Sequence, residues 1–323
     1  MKIPKSLSWN ESSEEDSQIY DPCEVFEAGN RNYQIANTAY PINHNETIKP
    51  YRVADSELQS HVWKIWNDVD DILLYAHVPF CERICAFCEL SVVKPRHIQD
   101  DITPYFQALN KEISMYGEMF EERKYVSGFD IWGGTPSLVD TKYIWEVIDT
   151  IDTYFERKSD MHMSIETTPK IAAEDIQKMR DYYAMGIRRI SMGVQSLSWK
   201  LIGRRDTSAE DNKKATENIR DAWFNQFNVD IMYWFAKQED SDVVKTVEHI
   251  LTLDPDFVTL YPMRYKGTVI EWKSAGVVEQ QLRDQYEICS SMLSSEWYDI
   301  RPWKNTCSKI NWNDGLSDYL HHR

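Results

Sequence analysis

From Asp71 onward the chain alternates short apolar runs with longer segments in which apolar residues recur every three or four positions. The short runs predict buried strands, and the longer segments predict amphipathic helices. The predicted strands cover residues 71–78, 128–132, 161–167, 187–194, 227–235 and 256–262. The predicted helices cover residues 103–120, 141–156, 172–185, 210–225, 241–253 and 277–296. Asp140 and Thr168 are typical of helix starts, and Gly186 suits a helix end.

This alternation of strands and helices predicts parallel strands joined by right-handed crossovers. Six such units are too few to close an eight-stranded barrel, so we predict an α/β protein with an open, partial (β/α)6 barrel over residues 71–265. Residues 1–70 are predicted to form an irregular N-terminal extension with one helix over 56–67. Residues 266–323 are predicted to form a C-terminal helix and a short cap.

The net charge of the chain argues against some classes of binding partner. Its 323 residues carry a formal net charge of −16, which argues against nucleic acid or an anionic membrane surface, because both attract basic faces. No apolar run is long enough to span a bilayer, and residues 1–21 lack the apolar core of a signal peptide. The six cysteines do not resemble a secreted disulfide framework. We therefore expect a cytoplasmic protein.

Three of the cysteines, Cys81, Cys85 and Cys88, follow the first predicted strand at C-x-x-x-C-x-x-C spacing. Thiolates are the usual ligands of iron–sulfur clusters, and three of them would leave one iron of a 4Fe–4S cluster without a protein ligand. The alternatives are a zinc site, which normally needs a fourth ligand at a matching interval, or three unrelated buried cysteines. The other three cysteines, Cys23, Cys289 and Cys307, are far apart in sequence, which favours bystander thiols over a second cluster.

Polar residues and glycines stand where several of the other predicted strands end. Because the carboxyl ends of parallel barrel strands meet on one rim, we expect these residues to form one site. Paired glycines allow a ligand to approach the backbone, an amide can bind a ribose, and a carboxylate can bind an ammonium group. In isolation, the glycine pair could be a tight turn, Glu166 a solvated or salt-bridged acid and Arg204 a surface arginine, whereas Asp230, an acid inside an apolar strand, favours a functional role. The candidates are Gly133, Gly134, Glu166, Gln195 and Asp230, together with Arg204, which follows Gln195 in sequence.

The order of these motifs resembles the oxygen-independent coproporphyrinogen-III dehydrogenase (HemN-like) branch of the radical S-adenosylmethionine (SAM) superfamily. The resemblance covers residues from about 39 to about 265. The motifs are His77-Val78-Pro79-Phe80-Cys81 with Cys85 and Cys88, Gly133-Gly134-Thr135-Pro136-Ser137, Arg189-Ile190-Ser191-Met192-Gly193-Val194-Gln195-Ser196, Gly203-Arg204-Arg205, and Asn228-Val229-Asp230-Ile231-Met232-Tyr233.

The resemblance implies a 4Fe–4S cluster on Cys81, Cys85 and Cys88 and one SAM molecule, or two, beside it. The residues implied to hold SAM are Tyr75, Phe87, Gly133, Gly134, Thr135, Glu166, Gln195, Arg204 and Asp230. Tyr75, near the sulfonium, and Glu166, at the methionine end, are the catalytic candidates. In this family an electron, from a donor such as flavodoxin or ferredoxin, reaches the cluster and cleaves SAM, and the 5′-deoxyadenosyl radical takes a hydrogen atom from the substrate.

Two departures from the family pattern bear on the reaction. Trp234-Phe235-Ala236 replaces a Gly-Leu-Pro after the fifth strand. We also expect the substantial C-terminal domain of the porphyrinogen enzymes to be missing or reduced to about 263–323. We therefore expect a small-molecule substrate and methyl transfer, cyclopropane formation or another C–C bond formation. One rival is oxidative decarboxylation of a porphyrinogen or another tetrapyrrole modification. The other is a non-catalytic SAM- or haem-binding carrier on the same fold.

Overall fold

The computed structural model describes residues 53–203, 208–265, 267–300 and 305–309. Three features singled out in the sequence, Cys23, Arg204 and most of the N-terminal extension, lie outside these residues. The division into three segments at residues 70 and 265 stays a prediction.

Helices and strands alternate as the apolar periodicity predicts. The helices are α1 (Leu58–Trp66), α2 (Thr103–Met119), α3 (Thr141–Tyr154), α4 (Pro169–Glu174), α5 (Ile176–Ala184), α6 (Trp199–Ile202), α7 (Ala209–Asp221), α8 (Asp240–Leu253) and α9 (Glu279–Ser295). The strands are β1 (Asp71–Val78), β2 (Tyr125–Gly133), β3 (Glu156–Thr167), β4 (Arg189–Gln195), β5 (Gln226–Tyr233), β6 (Phe257–Pro262), β7 (Tyr298–Asp299) and β8 (Thr306–Lys309).

The strands form one sheet in the order β1-β2-β3-β4-β5-β6-β8-β7. Strands β1 to β6 pair in parallel with their sequence neighbours, which confirms the partial (β/α)6 barrel. Strands β8 and β7 add antiparallel pairs beyond β6. The sequence did not predict this addition, because strands of two and four residues are too short for a periodic pattern.

Local side chains set several helix boundaries. The Asp140 side chain accepts a hydrogen bond from the N–H of Lys142 at the start of α3, as expected for a helix cap. The predicted helix over 172–185 is divided in two. At Asp175 the backbone leaves the helical region, and the Asp175 carboxylate instead caps α5 by accepting from the N–H of Lys178 at 2.9 Å. Gly186 follows α5 with φ of +94°, which confirms its role at a helix end.

Alternation along the strands separates an apolar outer face from a polar inner face. Ile190 and Met192 of β4 are buried in the hydrophobic core, together with Ile219 of α7. The intervening residues Arg189 and Ser191 lie on the opposite face, inside the barrel. The polar interior therefore opens at the carboxyl ends of the strands. Within the described residues, no helix combines the length and the apolar character that crossing a bilayer requires.

Candidate active site

The three cysteines lie on a loop that follows β1 and is closed at its base by backbone hydrogen bonds. The N–H of Cys81 donates to the carbonyl of Val93 at 3.0 Å, and the N–H of Val93 donates to the carbonyl of Pro79 at 2.8 Å. Farther along, the N–H of Cys88 donates to the carbonyl of Cys85 at 3.1 Å. Residues 79–93, called the cysteine loop below, thus present three thiols from a fixed base.

The end of β2 packs directly against this base. The N–H of Gly134 donates to the carbonyl of Val78, and the N–H of Thr135 donates to the carbonyl of Phe80, both at 2.8 Å. The Thr135 hydroxyl also donates to the Cys81 Sγ at 3.6 Å. The glycine-rich segment and the cysteine loop therefore form one unit.

This close packing requires both glycines. A Cβ added at Gly134 would lie 2.8 Å from the Phe80 carbonyl oxygen and 2.9 Å from that of Val78. Gly133 has φ of +118°, and a Cβ there would lie 2.7 Å from the His77 ring. A side chain at Gly134 would displace the base of the cysteine loop, and one at Gly133 would be strained by the positive φ and would press on the His77 ring.

One cavity at the carboxyl ends of the strands brings most of the predicted site residues together. Its lining comes from the cysteine loop and from the ends of β2, β3, β4 and β5. The predicted residues that line it are Cys81, Cys85, Phe87, Cys88, Gly133, Gly134, Thr135, Glu166, Gln195 and Asp230. Residues separated by up to 149 positions in sequence, Cys81 and Asp230, therefore share one cavity.

Glu166, near the end of β3, is a carboxylate held in a largely desolvated position. Burial, and to a lesser extent the charge of Asp230, raise the pKa of Glu166 to about 8, whereas the Gly133 N–H and Arg189 oppose this rise. The Gly133 N–H donates to Glu166 Oε2 at 3.2 Å. A bound ammonium group would favour the charged form, so Glu166 is suited to receive a cation.

Asp230, on β5, belongs to a hydrogen-bonded network on the inner face of the barrel. Its carboxylate accepts from the Ser191 hydroxyl at 3.1 Å and from the Asn228 amide at 2.7 Å. The side-chain oxygen Oδ1 of Asn228 accepts in turn from the Thr259 hydroxyl at 2.9 Å. Burial raises the pKa of Asp230, and these hydrogen bonds oppose the rise. The network fixes a carboxylate at the wall of the cavity.

Gln195, the last residue of β4, adopts a left-handed backbone conformation with φ of +68°. The β4–β5 register shifts between Gly193 and Gln195. A Cβ at Gly193 would lie 2.7 Å from Gln195 Nε2, so this glycine makes room for the amide. Left-handed backbone is unfavourable for residues other than glycine, and such conformations cluster at ligand sites. Here it places the Gln195 side chain in the cavity wall.

Two ion pairs tie the cysteine loop to opposite sides of the barrel rim. Lys170 Nζ lies 2.8 Å from Glu82 Oε1, and Arg264 Nη1 lies 3.0 Å from Glu89 Oε1. Glu82 follows Cys81 and Glu89 follows Cys88, whereas Lys170 and Arg264 lie beyond β3 and β6. Sequence reasoning did not identify these pairs. The sequence signal for such a pair is a carboxylate next to a cysteine. The basic partner of that carboxylate is far away in sequence and can be identified only in the folded chain.

Among the described residues, one predicted site residue, Tyr75, is not part of the cavity lining. Tyr75 is 54% exposed, and its hydroxyl hydrogen bonds with His77 Nδ1 at 3.0 Å. The His77 ring lies against Gly133, so Tyr75 is connected to the cavity through these two residues. Arg204 lies outside the described residues.

The cysteines outside the loop lie in a different environment. Cys289 of α9 and Cys307 of β8 belong to the hydrophobic core. Burial raises the pKa of the Cys289 thiol to about 12, so the thiol stays protonated at neutral pH. Cys23 lies outside the described residues.

The three thiols that line the cavity are a donor set that fits an iron–sulfur cluster. Zinc needs its ligands to converge on a single point, whereas a 4Fe–4S cluster binds each thiolate at a different iron. Three thiols around one cavity therefore suit a cluster whose fourth iron is open to another ligand.

Comparison with known proteins agrees with this chemistry. The chain is 27% identical over 230 residues to an oxygen-independent coproporphyrinogen III oxidase of Helicobacter pylori, over 68% of this chain and 49% of that protein. It is 24% identical over 259 residues to the heme chaperone HemW of Mycobacterium tuberculosis, over 76% of this chain and 65% of that protein. The structure of coproporphyrinogen III oxidase (HemN) from Escherichia coli is similar, with a TM-score of 0.71 at 22% identity over 83% of this chain and 62% of that chain.

The fraction of each chain that is covered limits what these similarities show about the protein. The chain spans about half the length of the coproporphyrinogen III oxidases it matches, and the likeness to the HemN structure shows the fold. The family model of the radical SAM superfamily matches residues 75–250, which is more than half of the chain and includes the cysteine loop. The protein therefore belongs to the radical SAM superfamily, whose enzymes use a 4Fe–4S cluster and SAM.

Proposed function

We propose that this protein binds a 4Fe–4S cluster and SAM in the cavity, cleaves SAM reductively, and abstracts a hydrogen atom from a small-molecule substrate. Methyl transfer, cyclopropane formation or another C–C bond formation is the reaction that we propose to follow. The convergence of the three cysteines with Glu166 and Asp230 on one cavity is the observation that carries the proposal.

When bound, the cluster supplies the electron that splits SAM into methionine and the 5′-deoxyadenosyl radical. The chain positions the reactants. Glu166 is proposed to bind the SAM ammonium group, because its carboxylate is desolvated and lies beside the Gly133 N–H. Gln195 and Asp230 are proposed to bind the ribose hydroxyls, since both present fixed polar groups to the cavity.

Three further roles complete the proposed SAM site. Phe87 lines the cavity next to the cysteines and is proposed to pack against the adenine. Tyr75 is proposed to act near the sulfonium, and its hydrogen bond to His77 gives it a defined orientation. Arg204 is proposed to bind the SAM carboxylate, because a guanidinium group can donate two parallel hydrogen bonds to it.

A tetrapyrrole substrate is the second candidate, favoured by the coproporphyrinogen III oxidases and the heme chaperone among the relatives. The Trp234-Phe235-Ala236 departure does not argue against it, because the structure gives Trp234 a packing role. The Trp234 Nε1–H donates to the Val278 carbonyl at 3.0 Å, and its backbone N–H donates to Gln285 Oε1 at 2.8 Å. Trp234 thus anchors α9, whatever the substrate.

Anaerobic product analysis tests the proposal and separates its rivals. Protein reconstituted with iron and sulfide, then reduced with dithionite and given SAM, is expected to form 5′-deoxyadenosine, detected by mass spectrometry. The Cys85→Ala variant is the matched control and should form none. Decarboxylation of added coproporphyrinogen III would establish the tetrapyrrole candidate. Haem binding, seen as a shifted Soret band, without any 5′-deoxyadenosine would instead favour the carrier and contradict the proposal.

A further inference from the structure

A second cavity adjoins the candidate active site through a pair of aromatic rings. Phe87 lines the cavity of the three cysteines, and Phe235 lines the second cavity. Their rings meet edge to face, with centroids 6.0 Å apart. A molecule seated at the second cavity would therefore be separated from the cavity of the three cysteines by two side chains.

Three lysines, Lys200, Lys237 and Lys273, surround this second cavity and are called the lysine patch below. No residue that the structure describes forms an ion pair with any of them. Two acids, Glu239 and Asp242, also line the cavity, but both are engaged at the start of α8. The Asp242 carboxylate accepts a hydrogen bond from the Glu239 N–H at 3.2 Å, and the Glu239 carboxylate accepts one from the Ser241 hydroxyl at 3.5 Å.

The turn that carries part of the patch is fixed by hydrogen bonds. The N–H of Phe235 donates to Gln238 Oε1 at 3.0 Å, and the N–H of Gln238 donates to the Phe235 carbonyl at 2.9 Å. The N–H of Ala236 donates to the Tyr265 hydroxyl at 2.6 Å. Lys237 is held in the left-handed region at φ of +66°. Because this turn is already fixed, little conformational entropy is lost when a partner binds to Lys237.

Exposed aromatic side chains accompany these charges. Trp199, which lines the cavity, is 43% exposed, and Trp272 is 75% exposed. The ammonium group of Lys273 lies 5.6 Å from the centroid of the Trp272 ring. Aromatic residues such as Trp are enriched in protein–protein interfaces. Because the whole chain carries a net charge of −16, an acidic protein would be repelled by most of its surface. The lysine patch is a local exception, with three lysines against the two carboxylates that also line this cavity.

We infer that the lysine patch is the docking surface for an acidic one-electron donor protein of the flavodoxin or ferredoxin class. The inference rests on the proposed function, because reductive cleavage of SAM consumes one electron that the chain itself does not contain. The donor is oxidised by one electron, and the cluster on the three cysteines is reduced by the same electron. Phe235 and Phe87 connect the docking surface to the cysteine loop.

Charge reversal tests the docking surface in the reconstituted protein of 323 residues. The Lys200→Glu/Lys237→Glu/Lys273→Glu variant is compared with a Lys64→Glu/Lys111→Glu/Lys213→Glu control, whose exposed lysines lie on α1, α2 and α7 and have the same change of charge. Two rates of cluster reduction are measured by stopped-flow absorbance, one with reduced flavodoxin and one with dithionite. Binding of oxidised flavodoxin to each variant is measured by calorimetry.

The patch variant is expected to be reduced by flavodoxin about tenfold more slowly at low ionic strength, with a smaller effect at high salt. Its binding of oxidised flavodoxin should weaken in parallel, whereas its reduction by dithionite should match the control. Equal losses in the patch and control variants, or unchanged rates in both, would overturn the inference. A Lys→Gln version of the patch variant gives the same comparison if the glutamates impair folding. Failure of the unmodified protein to form 5′-deoxyadenosine with dithionite would instead refute the proposed function.

Discussion

At the scale of single residues, Gly134 is the position where the site tolerates least change. A Cβ there would meet the backbone at Val78, Pro79 and Phe80, all within 2.9 Å, and backbone cannot move aside as a flexible side chain can. We predict that Gly134→Ala lowers the free energy of unfolding by about 1–3 kcal/mol and reduces iron uptake on reconstitution. Thermal unfolding and iron analysis would measure both effects.

Gly276→Ala is the control for this prediction, because a Cβ at Gly276 would meet nothing within 4 Å. Equal stability and equal iron content in the two variants would show that the close approach at Gly134 is unimportant.

Glu166 supplies a prediction about pH. Its pKa is raised to about 8, chiefly by burial, so below that pH the carboxyl group is increasingly neutral. If the carboxylate binds the SAM ammonium group, deprotonation of Glu166 accompanies binding, and affinity should fall as the pH falls below 8. SAM affinity is measured by anaerobic calorimetry from pH 6 to 8. For each pH unit below 8, the unmodified protein should lose up to about tenfold more affinity than the Glu166→Gln variant loses.

The Glu166→Gln variant isolates this contribution, because the SAM amino group titrates equally with both proteins. Parallel pH profiles for the two proteins would exclude a charged Glu166 as the ammonium receptor.

At the scale of elements, the cysteine loop is held by ion pairs at both ends. Glu82–Lys170 and Glu89–Arg264 are partly exposed, so each is expected to contribute no more than about 1 kcal/mol to stability. Their larger effect should be on loop position. We predict that Glu82→Gln/Glu89→Gln loses iron to a chelator several-fold faster, with unfolding nearly unchanged.

Glu279→Gln breaks the comparable Arg283–Glu279 pair on α9 and should leave the rate of iron loss unchanged. The proposed role of the two pairs fails if this control loses iron as fast as the loop variant does.

The attachment of α9 depends on Trp234. Trp234→Phe removes the hydrogen bond from the indole N–H to the Val278 carbonyl, which should cost about 0.5–1.5 kcal/mol because this contact is only partly buried. Chemical denaturation would measure the loss, with Trp297→Phe as control because Trp297 is 74% exposed. We expect SAM affinity to be retained in both variants. If the Trp234→Phe variant is as stable as the control, Trp234 does not anchor α9.

At the scale of the whole molecule, the features that depend on local sequence pattern could be predicted, whereas those that depend on contacts between distant residues could not. The parallel barrel and the strand ends that carry Gly133 and Glu166 follow from apolar runs of ordinary length. By contrast, β7 and β8 are too short to produce a pattern, and the division at Asp175 depends on one capping side chain. Contacts between distant positions, such as Glu89 with Arg264, leave no periodic signal in a single sequence.

The whole account depends on a cluster that the three cysteines hold with one iron left for SAM. Electron paramagnetic resonance of the anaerobically reconstituted and reduced protein, recorded without and with SAM, tests this most directly. We predict about four irons and four sulfides per chain and a reduced-cluster signal whose g-values shift when SAM is added. A protein that holds zinc or no iron on Cys81, Cys85 and Cys88, or a cluster signal that SAM leaves unchanged, would contradict the account.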